Sequence, residues 1–147
     1  MPERCGGTLL AFDFGSKRIG VAVGESLLSQ ARALTTIAAE DNVTRFARIA
    51  ELIGTWQPAA LALGLPLASD GSDVALTLRC RRFARQLQSR FGLPVHLVDE
   101  RYTSVEAEAR LADCGHTWQK RKREVDAAAA AIILQDYFDA HNNRRAA

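Results

Sequence analysis

The chain has 147 residues, 48% of them hydrophobic and 24% charged, with a formal net charge of +2. That length fits one domain with a full core, and so small a net charge leaves partners to be argued from where the charges stand. No apolar run reaches the ~20 residues that span a bilayer, and the N-terminus lacks the apolar stretch of a signal peptide.

The three cysteines, Cys5, Cys80 and Cys114, have no CxxC spacing. They imply reduced thiols in a cytoplasmic protein, with neither a disulfide frame nor a zinc site. Leu9 to Gly24 reads as two apolar strands around a short charged turn, and Ala31 to Ile37 as a third strand closing an antiparallel meander. Asp13 stands at the end of the first strand, where a carboxylate among buried residues needs a cation, a donor or a metal. Gly15, Gly20 and Gly24 let the backbone turn tightly or let a neighbour come close.

A helix is expected from Asp41-Asn42, both good N-caps. Val43, Phe46, Ile49, Ile53 and Trp56 follow at steps of three and four, and Pro58 ends it. Ala59 to Gly64 is a continuous apolar run, as in a parallel strand buried on both faces. After a polar loop, a long helix is expected from about Asp73 to Phe91, with Leu76, Cys80, Phe83 and Leu87 as its inner stripe. Arg79, Arg82 and Arg90 fall on one outer face, with Arg81 and Arg85 beside it. Such a face is either simply solvated or turned toward phosphates.

Val95 to Val98 reads as a last strand, with His96 as a core or sheet-face histidine and not a metal ligand. It runs into Asp99-Glu100-Arg101. Thr103-Ser104-Val105-Glu106 matches a capping box opening a helix to about Cys114, on which Glu106, Glu108 and Asp113 read as cap and surface charges. Gly115 to Arg123 has no period and reads as a mobile loop, carrying Trp118 and the cations Lys120, Arg121, Lys122 and Arg123. An aromatic beside a basic run can grip a nucleic-acid backbone and stack on a base, or the run can serve only as a solubilising loop. Glu124 to Phe138 is an alanine-rich helix able to lie close on a sheet, with Asp126 on the same face as Ala129, Ala130 and Ile133. The whole is one α/β domain over residues 1–147, with frayed ends at about 1–7 and 141–147.

Asp13, Glu100 and Asp126 form the candidate catalytic and metal-binding set. Two of them end strands, where open α/β sheets place their sites. The third lies in the first turn of a closely packed helix. Three carboxylates together call for hard cations, and Mg²⁺ takes oxygen ligands while leaving room for phosphate. Of the two carboxylates at the end of the last strand, the longer Glu100 reaches further than Asp99.

Asp13-Phe14-Gly15-Ser16-Lys17-Arg18-Ile19-Gly20-Val21-Ala22 resembles the N-terminal signature of the YqgF (RuvX) family. Gly64-Leu65-Pro66, Asp99 to Ser104 and Asp126 to Ala130 resemble its later motifs, in order. The resemblance covers about residues 8 to 140. It implies a ribonuclease H-like fold: a five-stranded mixed sheet in the order 3-2-1-4-5, with strand 2 antiparallel and flanked by helices. It also implies a nuclease dependent on Mg²⁺ or Mn²⁺, with Asp13, Glu100 and Asp126 at the metal. Lys17 and Arg18 would hold the scissile phosphate or offset the carboxylates; Arg18 and Arg101 could equally make structural ion pairs, Arg18 with Asp99 or Glu100.

The reading that follows is hydrolysis of structured RNA, with 5′-end maturation of pre-16S ribosomal RNA first. Resolution of branched DNA (a Holliday junction) is the alternative, as is a weakly catalytic nucleic-acid-binding factor. RuvC resolvases carry a further carboxylate where this chain has Ala129, which favours the last. No membrane partner is expected, and the chain would act as a monomer or homodimer.

Overall fold

The computed structural model describes residues 7–99 and 118–146. Strands β1 (Thr8–Phe14), β2 (Ile19–Glu25) and β3 (Gln30–Ile37) form the antiparallel meander, and β4 (Ala60–Leu65) and β5 (Val95–Asp99) extend it in parallel. The order is β3-β2-β1-β4-β5, with β1 central. Helices α1 (Asn42–Trp56) and α2 (Ala75–Phe91) join the strands, and α3 (Trp118–Ala146) closes the described chain.

Period-two alternation gives the sheet two unlike faces. Leu10, Phe12, Val21, Val23, Leu61 and Leu63 point to one side and meet Phe46 and Ile49 of α1 and Cys80, Phe83 and Leu87 of α2. The other side carries Leu9, Ala11, Ala22, Ala60 and Ala62, and there α3 lies with Ala130, Leu134 and Phe138. Bulky side chains fill the space under two helices, whereas small ones let a single helix come close.

That closeness is greatest over β2. A Cβ on Gly20 would lie 1.8 Å from the carbonyl oxygen of Asp126, and one on Gly24 would lie 2.9 Å from the ring of Phe138. Alternate strand residues rise about 6.8 Å and every fourth helix residue 6.0 Å, so Gly20, Ala22 and Gly24 keep step with Asp126, Ala130 and Leu134. Gln135 adds a clamp: its amide accepts from Ala31 N (3.0 Å) and donates to Ser29 O (2.9 Å), fixing α3 to the β2–β3 turn.

The helix ends follow local chemistry. Asp41 caps α1 by accepting from Thr44 N at 2.8 Å, and Gln57 ends it in the left-handed region before Pro58. The backbone bond and Thr44 together hold the Asp41 carboxyl below its ordinary value of 3.8. Helix α2 begins two residues later than its sequence suggests. There Val74 N donates to Thr77 Oγ1 at 2.9 Å, and the buried Thr77 hydroxyl donates to the carbonyl of Pro66. Cys80 is a buried thiol outside any disulfide, and His96 is a sheet-face residue whose ring packs 5.0 Å from that of Tyr137.

Two expectations are corrected. The basic stretch 118–123 is not loop but the opening turns of α3, which starts six residues before Glu124. Gln, Lys and Arg are good helix formers, so a segment without an apolar stripe can still extend a helix anchored further on. The tail is likewise helical through Ala146 instead of frayed from His141. Gly7 is tied in place at the other end, donating to Ser26 Oγ (2.8 Å) and accepting from Ser26 N (3.0 Å). The expected capping box, the 103–114 helix, Cys5 and Cys114 lie outside the described residues.

Candidate metal and nucleic-acid site

Asp13 follows Leu9 and Ala11 on the small-residue face and pairs in register with Gly20. Gly20 is the point where the backbone of Asp126 touches the sheet. The register and the missing Cβ therefore bring Asp13 and the backbone of Asp126 together at the C-terminal end of the central strand. Because α3 starts at Trp118, Asp126 is its ninth residue and not, as expected, in its first turn. Parallel strands place their sites at that end.

A cation already occupies this corner. The Arg18 guanidinium, in the turn between β1 and β2, donates from Nε to Asp126 Oδ2 at 2.6 Å. Both side chains are partly exposed, at 29% and 21%. This corrects the expected partner of Arg18, which pairs with Asp126 and not with Asp99; Glu100, the other expected partner, lies outside the described residues. The pairing spans 108 positions of sequence, so nothing local could announce it.

Asp99 sits elsewhere. It pairs in register with Leu65, whose side chain belongs to the bulky face, while His96 and Val98 pair with Ala62 and Gly64. Asp99 and Asp13 thus belong to opposite faces of the sheet. Among the described residues no group of three His, Cys, Asp or Glu side chains is close enough to hold a metal. Glu100 and Arg101 lie outside the described residues, as do the side chains of Trp118, Lys120, Arg121, Lys122 and Arg123.

Of the remaining candidate cations, Lys17 is exposed in the turn beside Arg18. Arg79 and Arg82 are exposed on α2, and Arg79 lies 5.8 Å over the ring of Phe14, on the opposite face from Asp13. Arg90 lies 4.1 Å over Phe46, and Arg81 pairs with Asp73 at 3.0 Å. The arginine row of α2 is therefore partly committed to its own rings and carboxylates.

Sequence reasoning missed Arg45. It is 2% exposed on α1, a helix face otherwise apolar. Its Nε donates to Ala39 O and its Nη2 to Gly15 O, each at 2.6 Å, and its guanidinium lies 5.4 Å over Phe14. Burial, and then the charge of Arg79, draw its pKa below the ordinary arginine value. Arg45 thus holds the Gly15–Arg18 turn from behind. Its one sequence signal was a cation inside an apolar period.

The family model described as "RuvX: Holliday junction resolvase" matches residues 7–140. The chain belongs to the RuvX family. A relative in Methylobacillus flagellatus, named "Putative pre-16S rRNA nuclease", is 54% identical over 95% of this chain and 97% of its own length. One of the same name in Nitrosomonas europaea is 50% identical, covering 95% and 94%. Among solved structures, Thermus thermophilus RuvC in complex with a Holliday junction substrate has a TM-score of 0.54 at 18% identity, covering 92% of this chain and 95% of that one. That likeness, with the observed strand order, establishes the ribonuclease H-like fold expected of a RuvX chain. In this RuvX chain Ala129, one turn beyond Asp126, is fully buried and clusters with Ile132.

Proposed function

We propose that this RuvX chain is a metal-dependent nuclease that hydrolyses phosphodiester bonds in structured RNA, its reaction being 5′-end maturation of pre-16S ribosomal RNA. The observation that carries the reading is that Asp13 pairs in register with Gly20, over which the backbone of Asp126 lies, at the C-terminal end of the central strand. The names of its half-identical relatives support the substrate.

The donor set fits Mg²⁺ or Mn²⁺. Carboxylate oxygens are the ligands hard cations take, and Asp126 already holds a cationic group at 2.6 Å. Asp13 and Asp126 would hold the metal together with Glu100, since Asp99 belongs to the far face of the sheet. A metal bound there supplies an activated water and charge neutralisation at the phosphodiester.

The chain's own residues do the rest. Gly20 sets the height of Asp126 above Asp13. Arg45 fixes the turn that presents Lys17 and Arg18, and exposed Lys17 meets substrate phosphate. Arg101 and the basic opening of α3, from Trp118 through Lys120, Arg121, Lys122 and Arg123, would extend that contact along an RNA backbone, with Arg79 and Arg82 of α2 adding to it. A-form RNA is recognised by shape and phosphate, which scattered cations suit.

The family description favours one second reading, cleavage of four-way DNA junctions. Incubating a 5′-extended 16S precursor and a four-way junction with wild type, Asp13→Asn and Asp126→Asn, in Mg²⁺, Mn²⁺ or EDTA, separates the two. The precursor is expected to be cut by wild type with metal only, and by neither variant. Cutting of the junction alone would move the chain to DNA. Binding of both without cutting would leave a nucleic-acid-binding factor.

A further inference from the structure

Asp126 cannot offer Oδ2 fully to a metal while Arg18 Nε sits 2.6 Å from it. We propose that Arg18 is the resident counter-ion of this corner, displaced from Asp126 when a divalent cation binds. The inference rests on the metal reading of Asp13 and Asp126 and adds to it a competitor within the chain.

Three observations carry it. The bond runs from a charged donor to a charged acceptor, the stronger kind of hydrogen bond, so it competes in earnest for the oxygen. Both partners are about a quarter exposed, so the pair can open without unpacking the core. The two partners belong to elements held independently. Arg18 stands on a turn fixed through Gly15 O by Arg45, and Asp126 on a helix fixed by Gly20 and Gln135. Breaking the pair therefore moves a side chain and neither element.

The exchange also has an electrostatic logic. Carboxylates brought near each other on two packed elements repel, and a guanidinium on Asp126 offsets that repulsion in the metal-free protein. A divalent cation brings twice the charge to the same oxygens and repels the guanidinium beside it. The freed Arg18 then stands next to exposed Lys17, on the side where a substrate phosphate approaches. Metal loading would thereby release a phosphate-binding group.

Mn²⁺ affinity, measured by titration with no nucleic acid present, tests the proposal on wild type, Arg18→Gln, Lys17→Gln and Asp13→Asn. Arg18→Gln is expected to bind Mn²⁺ about five- to tenfold more tightly than wild type, the worth of one charge-assisted bond at a partly exposed site. Lys17→Gln removes an equal charge from the same turn and is expected to change little. Equal tightening by both variants would reduce the effect to bulk field and overturn the proposal, as would unchanged or weaker binding by Arg18→Gln. Failure of the metal reading itself looks different: Asp13→Asn would bind Mn²⁺ as well as wild type. In wild type, the Arg18 Nε–H resonance is expected to be protected from solvent exchange without metal and to lose that protection in saturating Mg²⁺. Persistent protection would mean that carboxylate, guanidinium and metal coexist, and the displacement would be refuted.

Discussion

The two faces of the sheet solve opposite packing problems. The face under α1 and α2 is filled by volume: Phe83 alone touches the rings of Phe12, Phe14 and Phe46, at centroid distances of 6.4, 4.8 and 5.7 Å. The face under α3 is built by omission, through Gly20, Ala22, Gly24, Ala60 and Ala62. A large side chain can shift a few tenths of an ångström and still fill its space, whereas a helix seated on a glycine has no such latitude. The bulky face is thus where stability resides, and the small-residue face is where a carboxylate can be positioned.

Emptying the bulky face should cost the most. Phe83→Ala is expected to lower stability by about 3–5 kcal/mol, read as a large fall in Tm, with activity kept at temperatures where the variant is folded. Loss of activity in the folded variant would show that the faces are not separable in this way. Adding one carbon to the other face should do the reverse. Gly20→Ala forces a Cβ into the carbonyl of Asp126, and overpacking of this kind costs about 1–3 kcal/mol. Cleavage and Mn²⁺ affinity should fall far more than that loss of stability explains. A Gly20→Ala protein that still cut its substrate normally would detach the site from the height of α3.

Arg45 joins the two regions, since it stacks on Phe14 of the bulky face and bonds Gly15 O in the site's turn. Arg45→Met leaves two carbonyls without their donor, worth about 1–3 kcal/mol. It should raise KM for the nucleic acid as the turn loosens, with Arg45→Lys restoring part of both. An unchanged KM at lowered Tm would confine Arg45 to the core. The smallest effect is expected at Asp41, whose cap lies at the exposed start of α1. Its folded pKa is depressed by the bonds from Thr44, so its contribution is present above the unfolded carboxylate pKa and is lost as pH falls through the folded one. The Tm difference between wild type and Asp41→Ala should therefore be steady near neutrality and shrink below about pH 3.8. A difference that persisted in stronger acid would assign the cap to something other than the carboxylate.

Much of this was legible from residue order alone. Strand alternation, the apolar run from Ala59 to Gly64, Pro58 and the Asp41 cap placed the seven described elements before α3 to within two residues, because those signals act over a few neighbours. The family motifs supplied the strand order, which the sheet shows, and the carboxylate set that is proposed here. What local patterning misjudged was the length of α3: a helix anchored on a sheet continues through residues that have no apolar face of their own.

Sequence by itself determined most of the apolar core, which strands alternate and which carboxylates are candidates for a metal. Tertiary structure alone decided that Arg18 finds Asp126 and that Asp99 belongs to the far face. It alone decided, too, that a cation in the middle of α1 reaches back to Gly15. Periodicity reports the face a side chain takes, but an ion pair across 108 residues depends on how closely two elements approach. Here that approach is set by a missing side chain at Gly20.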